Sequence, residues 1–388
     1  MTRREFSKMC GLLGISVPLS NLATSCNTNE NLTPSDIKKV LIIGAGTAGL
    51  TSGYLLKQRG IDFEILEASS TYGGRMKRND DFTDFPIPLG AEWIHVDRSI
   101  LNEIVNDQGI SIGVQTINYN PDNYTGLFEG VQISLEEMGF SDDLKFVNST
   151  WFDFFKEYIL PSVSSKITYD QIVVDIDYSG EQVVVNSQNE EYKADVVIVT
   201  IPVKQMQKGV VNFTPSLSVE KQEAFNNITV WDGCKAFIKF SEKFYPTFTA
   251  FDIQPETAGQ KLYYDAAYGQ NTSDNILGLF AVGSGTLPYV QLTDELLIAF
   301  MLEELDELYD GQASATYEKH IFQNWNEEPF INGAYIYNHE NWRRVRTIGT
   351  SVNGKLFFAG TGYTEGEDWS SVHTAARSAK RAVDAVTG

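Results

Sequence analysis

Lys39-Val-Leu-Ile-Ile43 runs directly into Gly44-Ala-Gly-Thr-Ala-Gly49 near the start of the chain. The first part is a short, apolar, β-branched run that predicts a buried parallel strand. The second is a GxGxxG turn at the point where such a strand would pass into a helix. A helix is predicted from Leu50 to Gln58, ending at Gly60, and a second strand from Ile61 to Leu66. This order of elements predicts a Rossmann-like βαβ unit.

The turn has the chemistry of a dinucleotide-binding site. Its first glycine permits a tight turn, the second lets the backbone approach a pyrophosphate, and the third allows close packing of helix on strand. The helix N-terminus then faces the phosphates with its positive end. Glu67 lies 23 residues after Gly44, where it would accept hydrogen bonds from ribose hydroxyls and disfavour a 2′-phosphate. The predicted binding residues are therefore Gly44, Gly46, Ala48, Gly49 and Glu67.

The next segment favours FAD over NAD. Glu67-Ala-Ser-Ser-Thr-Tyr-Gly-Gly-Arg75 adds two glycines, which let the main chain pass close to a cofactor, and an arginine for its phosphates. This ExxxxxGGR pattern resembles the FAD-binding signature of the flavin-containing amine oxidase family. Pro88-Leu-Gly-Ala-Glu-Trp-Ile-His95 is similar to the family's segment beside the flavin ring, closest to the polyamine oxidase branch. The resemblance extends along most of the chain that follows the first forty residues.

The resemblance implies an α/β FAD-binding Rossmann-like domain of the glutathione-reductase type, plus an α+β substrate domain with an antiparallel sheet. Both domains are discontinuous: the FAD-binding domain is expected at 38–105, 165–205 and 340–388, and the substrate domain at 106–164 and 206–339. Periodicity independently predicts strands over Gln182–Asn186 and Val196–Ile201. In the substrate domain, strands are expected at Phe237–Phe240 and Leu277–Val282, and a helix at Asp294–Tyr309.

Further cofactor contacts are implied by the resemblance. They are Gly74, Arg75, Gly90, Ala91, Glu92, Trp93, Val173 at the adenine, Trp325, Gly360, Thr361, Ser371 and Val372. Ala334 stands where the mitochondrial monoamine oxidases have the cysteine that links FAD, so non-covalent FAD is expected. The family usually has a glutamate near its FAG turn, whereas this chain has Thr361, and its nearest carboxylates are Glu365 and Glu367.

The last helix is expected over Trp369–Val383, with Ser370 or Ser371 as its cap. By resemblance its N-terminus would point at the edge of the flavin ring. A helix N-terminus there would stabilise the anion of the reduced ring. His373 is assigned to the helix and not to the chemistry.

Three side chains are expected to carry the chemistry. Lys235 matches the family lysine that holds a water at flavin N5, and Lys239, on the same strand face, would take its place if the register were shifted. Tyr335 matches one ring of the family's aromatic cage. The position of the other ring is occupied by Val372, so at most one of the two rings is present. His95 would orient a substrate amine or carry its proton. A core aromatic role for Tyr335 and a packing role for His95 are the alternatives.

Composition excludes one class of partner. The chain of 388 residues has 30 Lys and Arg against 51 Asp and Glu, a net charge of −21. Such a surface repels phosphate backbones, so nucleic acid is not an expected partner. The same charge would attract a cationic small molecule.

The first 26 residues have the order of a signal peptide, followed by a polar linker at 27–37. Arg3-Arg4 resembles a twin-arginine export signal, and Ala23-Thr-Ser-Cys26 resembles a lipoprotein cleavage box, with Ala23 where leucine is more usual. Export to the cell envelope or periplasm is therefore expected, with a lipid anchor at Cys26 or, alternatively, simple cleavage. No segment is long enough to predict a transmembrane helix, and no metal site is expected.

The sequence thus predicts an FAD-dependent amine oxidase that passes a hydride from an amine carbon to flavin N5 and reduces O2 to H2O2. A polyamine or an aromatic monoamine is the expected substrate. An L-amino acid is disfavoured because the GAEWIH segment lacks an arginine for the substrate carboxylate. Two alternatives stay open: a desaturase or dehydrogenase that uses a quinone-type acceptor, and a catalytically weak envelope flavoprotein that serves as a binding or accessory subunit.

Overall fold

The computed structural model describes residues 37–388, except 122, 136–142, 254–257, 338–339 and 365–367. The predicted signal peptide and nearly all of the linker therefore lie outside the described residues, as do Cys26, Glu365 and Glu367. Within the described ranges, no helix is both long enough and apolar enough to cross a bilayer.

The strands of the described residues are β1 (Lys39–Ile43), β2 (Asp62–Leu66), β3 (Arg78–Asn79), β4 (Ile87–Pro88), β5 (Thr116–Tyr119), β6 (Tyr124–Phe128), β7 (Val131–Gln132), β8 (Asp143–Phe146), β9 (Ile167–Thr168), β10 (Val173–Asp177), β11 (Val183–Ser187), β12 (Glu191–Ala194), β13 (Val196–Val199), β14 (Asn212–Thr214), β15 (Gly233–Phe240), β16 (Phe248–Ala250), β17 (Gly259–Asp265), β18 (Asn275–Gly283), β19 (Tyr317–Asn324) and β20 (Leu356–Phe358). The α-helices are α1 (Thr47–Gln58), α2 (Ile100–Val105), α3 (Trp151–Tyr158), α4 (Leu160–Val163), α5 (Val203–Gln207), α6 (Val219–Asn227), α7 (Asp294–Leu308), α8 (Gln312–Thr316), α9 (Trp342–Gly349) and α10 (Val372–Thr387).

The predicted βαβ unit is the centre of a parallel sheet ordered β20-β13-β1-β2-β9. Because side chains alternate along a strand, β1 serves two cores. Val40 and Ile42 pack on the side of α1 and α10, whereas Leu41 and Ile43 pack on the other side. Burial on both faces explains why β1 is a continuous apolar run and not an alternating one.

A second, four-stranded sheet covers the other side of the parallel sheet, in the order β12-β11-β10-β14. The strands predicted at Gln182–Asn186 and Val196–Ile201 are confirmed as β11 and β13, but they lie in different sheets. Val173, the predicted adenine contact, begins β10 and is buried.

The predicted antiparallel sheet is confirmed as a seven-stranded sheet ordered β19-β15-β18-β17-β16-β6-β7. Its neighbours pair antiparallel, except for the parallel pair β16–β6. The two strands predicted in this region are parts of β15 and β18, which extend further than the apolar patterns that identified them. Helix α7 ends one residue earlier than predicted and buries Leu297, Met301 and Leu305 against the sheet at helical spacing.

The predicted division of the chain into domains stays a prediction. Two segments assigned to the substrate domain pack with the Rossmann half. Helix α3 contributes Trp151 and Phe154 to the core that holds Val40, and helix α6 contributes Phe225 to the core that holds Leu41.

Candidate active site

In the glycine turn after β1, there is space for a side chain at Gly46 but not at Gly44 or Gly49. Gly44 has a φ of +105°, and a Cβ on Gly49 would lie 1.8 Å from the carbonyl oxygen of Gly44. A Cβ on Gly46 would meet nothing within 4 Å. Helix α1 starts at Thr47, three residues earlier than predicted. An open backbone next to a helix N-terminus is the arrangement that accepts a pyrophosphate.

Glu67 fastens this turn to the end of β2. Its Oε2 accepts a hydrogen bond from the backbone N–H of Ala45 at 2.6 Å, and its Oε1 accepts from the N–H and hydroxyl of Ser69 at 2.9 and 2.8 Å. The carboxylate is therefore held in place by the protein before any ribose contacts it. The prediction placed Glu67 at the correct turn, but the sequence did not reveal this second, structural role.

Arg75 is a partly buried cation beside the turn. Its guanidinium donates to the Ala334 carbonyl and, at 3.2 Å, to the Thr361 hydroxyl. Burial lowers the pKa of Arg75 to about 10, so the side chain is still charged at neutral pH. Among the described residues, no carboxylate forms an ion pair with it. A cation that is largely removed from water and whose described partners are neutral is costly, and a phosphate of FAD would supply a negative charge.

A cleft joins Arg75 to the predicted substrate residues. Its lining includes Thr200, Ala334, Tyr335, Gly360 and Thr361 as well as Arg75. The Ala334 methyl group offers no nucleophile at this cleft. Tyr335 is partly buried, and burial, followed by the charge of Asp368, raises its pKa far above its ordinary value. The donor set and the bare glycine backbone together fit the FAD that the sequence predicts.

The LGAEWIH segment packs tightly on the chain around Arg75. The N–H of Ala91 donates to the Arg75 carbonyl at 2.9 Å, and a Cβ on Gly90 would lie 1.9 Å from that same oxygen. The indole N–H of Trp325 donates to the Leu89 carbonyl at 3.0 Å. Gly90, Ala91 and Trp325 therefore lie together, and glycine is required at position 90 by this close approach.

Lys235 is buried on β15 and paired with Glu92. Its Nζ lies 2.7 Å from Glu92 Oε2, 2.8 Å from the Pro88 carbonyl oxygen and 3.3 Å from that of Gly90. Lys239 is instead partly exposed and pairs with Asp274 at 2.8 Å. The register question is thus settled in favour of Lys235 as the inner lysine.

Glu92 also contacts a second lysine and a tyrosine. Lys145 Nζ lies 3.2 Å from its Oε1, and the Tyr264 hydroxyl donates to its Oε2. Burial alone would raise the pKa of Glu92. The charges of Lys235 and Lys145, together with hydrogen bonds from Lys235 and Tyr264, hold it below its ordinary value instead. Glu92 is therefore an ionised, fully buried carboxylate. The sequence predicted it as a cofactor contact and did not predict these partners.

Trp93 and His95, two residues apart in the same segment, have different surroundings. The ring of Trp93 contacts those of Tyr119 and Tyr264, with centroids 4.7 and 5.3 Å apart. His95 lies 3.0 Å from Asp143 through Nδ1, and its side chain is 44% exposed. His95 is not among the described residues that line the cleft, so its predicted catalytic role stays a prediction.

The start of the last helix is organised by Asp368 and not by the predicted serines. Helix α10 begins at Val372, and the side chain of Ser371, at the N-cap, accepts no capping hydrogen bond. Asp368 accepts from the backbone N–H of Ser370 at 3.0 Å and from the Thr374 hydroxyl at 2.9 Å, and it lies 3.1 Å from His373 Nε2. Burial would raise the pKa of Asp368, but the hydrogen bonds from these groups, Ser371 included, hold it far below its ordinary value.

Sequence reasoning missed Lys145, Tyr264 and Asp368. Lys145 had one signal, a lysine between Leu144 and Phe146 in a short alternating run, which marks a charge on a strand. Nothing local indicated that β8 brings it to Glu92. Asp368 lies in the segment where a carboxylate was sought, next to the two glutamates that lie outside the described residues.

Comparisons with known proteins identify the family. A model of the flavin containing amine oxidoreductase family matches residues 157–387, more than half of the chain. A model of an NAD(P)-binding Rossmann-like domain matches residues 42–107, which include the glycine turn.

Individual relatives are distant. Human lysine-specific histone demethylase 2 is 23% identical over 87% of this chain and 52% of its own length. The probable polyamine oxidase 4 of Arabidopsis thaliana is 20% identical over 83% of this chain and 80% of its own length. The chain thus spans about half the length of that demethylase and only 24% of mouse lysine-specific histone demethylase 1B.

Among solved structures, putrescine oxidase bound to putrescine is similar, with a TM-score of 0.72 at 14% identity, over 89% of this chain and 98% of that chain. At this identity the likeness shows the fold, and it confirms the predicted architecture of a Rossmann-like half joined to a sheet-based substrate half. The family match in turn supports flavin as the cofactor. The chain belongs to the flavin-containing amine oxidoreductase family.

Proposed function

We propose that the chain is an FAD-dependent amine oxidase that converts an amine to an imine and reduces O2 to H2O2. The carbon next to the nitrogen loses a hydride, the nitrogen loses a proton, and water then hydrolyses the imine. Bound FAD supplies the two-electron acceptor for the hydride, and O2 takes both electrons and two protons. Transfer of this kind depends mainly on proximity and an uncharged nitrogen.

The observation that carries the proposal is the Lys235–Glu92 pair. Lys235 comes from the antiparallel sheet, yet its Nζ contacts the Pro88 and Gly90 carbonyls of the segment that packs on Arg75. The pair therefore holds the Lys235 ammonium, which comes from the antiparallel sheet, against the segment that packs on Arg75. A buried cation there would stabilise the negative charge that develops as O2 accepts its first electron.

Other residues support the same function. Arg75 offers a cation that pairs with no carboxylate in the described part of the chain and could face the FAD phosphates, and Tyr335 offers an aromatic ring in the same cleft. Ala334 supports non-covalent FAD because its side chain cannot form a bond to the ring. The polyamine and putrescine oxidases among the similar proteins support an aliphatic amine or polyamine as substrate, with an aromatic monoamine as the second candidate.

The experiment is an absorption spectrum of the purified protein before and after anaerobic addition of putrescine, spermidine, phenylethylamine or an L-amino acid. Yellow protein that is bleached by one amine, and that regains its colour when oxygen is admitted, supports the proposal and identifies the substrate class. Bleaching followed by slow return of colour would instead favour a dehydrogenase with a quinone-type acceptor. Protein that binds FAD and is bleached by no amine would contradict the oxidase function and favour the accessory role.

We also propose that the protein is exported and anchored by a lipid on Cys26, on the basis of the order of charged, apolar and small residues before that cysteine. The mass of the N-terminal peptide from the cell-envelope fraction tests this proposal. A diacylglyceryl-modified Cys26 supports it, and an unprocessed Met1 in the soluble fraction contradicts it.

A further inference from the structure

Lys145 is a second buried lysine at the candidate site, and nothing in the expected chemistry uses it. It lies on β8 and is 2% exposed. Its Nζ lies 3.2 Å from Glu92 Oε1 and 3.2 Å from the Ala266 carbonyl oxygen. Three rings surround the ammonium, those of Trp93, Tyr119 and Tyr264, with centroids 5.1 to 5.6 Å from Nζ.

A structural role alone does not explain this lysine well. Burying an ammonium costs several kcal/mol before any partner repays it, and an apolar side chain among three aromatic rings would avoid that cost. The rings and the carbonyl groups of Asp265 and Ala266 reduce the cost by cation–π attraction and hydrogen bonding. Among the described residues, its charged partner is Glu92, the same carboxylate that pairs with Lys235.

Lys145 and Lys235 therefore share the single negative charge of the Glu92 carboxylate. Glu92 gives one oxygen to each ammonium, so the carboxylate is held at both ends and cannot rotate without losing an ion pair. The Lys235 ammonium has three acceptors, in Glu92, Pro88 and Gly90, which matches its three N–H donors. The position of the Lys235 ammonium against the Pro88 and Gly90 carbonyls thus depends on where Glu92 lies.

We propose that Lys145 is a positioning residue, which acts through the Glu92 carboxylate to fix the place and the charge of the Lys235 ammonium. This role rests on the proposed function, because that function gives the Lys235 ammonium its part in the reaction with O2. Lys145 repels Lys235 and competes for its counter-ion. The cluster thereby keeps a net positive charge that a simple Lys–Glu pair would not have.

In the part of the chain that the structure describes, the charged and titratable groups that face Lys235 come from three segments. They are Glu92 from the segment 88–92, Lys145 from β8, and Tyr264 from β17. Burial, then the charge of Glu92, raises the pKa of Tyr264 well above its ordinary value, so Tyr264 stays neutral. Removal of the charge at position 145 should therefore strengthen the hold of Glu92 on the Lys235 proton.

The test measures the titration of Lys235 directly, by NMR of protein labelled with [ε-13C]lysine, with the Lys235 signal identified by its loss in Lys235→Met. Lys145→Gln keeps a hydrogen-bond donor and removes the charge, whereas Lys145→Arg keeps the charge. Lys243→Gln is the matched control, because Lys243 is a half-exposed lysine that pairs with Asp265 at 2.6 Å. We expect the Lys235 midpoint to rise by about one pH unit in Lys145→Gln, a tenfold change in proton affinity, and to stay in place in Lys145→Arg and Lys243→Gln.

A second measurement follows the reaction of O2 with protein reduced by dithionite, which needs no amine. Its pH profile should move in the same direction in Lys145→Gln and stay in place in the two controls. An unchanged Lys235 midpoint in Lys145→Gln would overturn the inference. If the midpoint moves but no amine bleaches the wild-type protein, the coupling of the two lysines is supported and the proposed oxidase function fails.

Should Lys145→Gln fail to fold, the wild-type protein carries the test. Groups that share one carboxylate are coupled, so the Lys235 signal should titrate in more than one step. A single-step curve for Lys235 would overturn the inference.

Discussion

Lys235 and Lys221 are two deeply buried lysines with different partners. Lys235 contacts a carboxylate as well as carbonyl groups. Lys221, on α6, contacts the carbonyl oxygens of Thr347, Ile348 and Thr350 at the end of α9, at 3.1, 2.7 and 2.6 Å. The counter-ion, and not burial itself, therefore distinguishes the lysine that we propose acts in the reaction from the one that holds two helices together.

The largest effect is expected at Lys235. Lys235→Met should leave FAD bound and slow the reaction of the reduced protein with O2 by about 100-fold, because a preorganised charge at the site is lost. Stopped-flow absorbance after anaerobic reduction measures that rate. The matched control is Lys239→Met, four residues along the same strand, where the lysine is partly exposed and pairs with Asp274.

The control should react at close to the wild-type rate. Equal slowing in both variants would show that the strand as a whole, and not the buried charge, matters for the reaction. A wild-type rate in Lys235→Met would show that this lysine has no role in the reaction with O2. Lys235 and Lys221 would then not differ in function.

Lys221→Met should affect stability and not the reaction. The substitution leaves several buried carbonyl groups at the end of α9 without their donor, which costs about 2 kcal/mol of unfolding free energy. It also removes the ammonium that lies 4.0 Å above the Phe358 ring. Urea unfolding monitored by circular dichroism gives the free energy, and stopped-flow kinetics on the same sample should give a wild-type rate of reaction with O2. A slowed reaction with unchanged stability would reverse the roles of the two lysines.

The same lysine predicts how stability varies with pH. Burial lowers the pKa of Lys221 to about 7, whereas an unfolded lysine titrates near 10.4. Between these values the unfolded chain binds more protons than the folded one, so this group makes the protein more stable as pH rises from about 7 to about 10. Its contribution is at most about 1.4 kcal/mol per pH unit. The difference in unfolding free energy between wild type and Lys221→Met, measured across this range, should show that slope, and a flat difference would contradict the lowered pKa.

The nucleotide half could be predicted because its signals are local. β1, the glycine turn, α1 and Glu67 lie within about thirty residues, and the fold gives a steric reason for Gly44 and Gly49. Arg75 and Lys235 were identified by resemblance to motifs. The cluster around Glu92 could not be predicted, because Lys145 and Tyr264 lie 53 and 172 residues away along the chain and meet Glu92 only in the folded protein. The cap of α10 was assigned to Ser370 or Ser371 because these serines stand next to the predicted start of the helix in the sequence. The contacts of Asp368 with Ser370 and Thr374 exist only in the fold.

The smallest effect is expected at Asp368, which mirrors Lys221 at the opposite kind of helix end. Lys221 places a positive charge at the C-terminus of α9, and Asp368 places a negative charge at the N-terminus of α10. Both signs are favourable for the helix dipole. Asp368→Asn should therefore lower stability by about 0.5–1 kcal/mol, measured as the shift in thermal unfolding.

The matched control for this variant is Asp384→Asn, at the C-terminal end of the same helix, where a negative charge opposes the dipole and only a half-exposed ion pair with Arg59 is lost. That variant should change stability less. Hydrogen bonds hold the pKa of Asp368 far below its ordinary value, so its contribution should persist in mildly acidic solution and be lost only as pH falls well below the ordinary range of an aspartate. Equal loss in both variants would mean that charge at a helix end does not explain Asp368, and the parallel with Lys221 would then rest on hydrogen bonding alone.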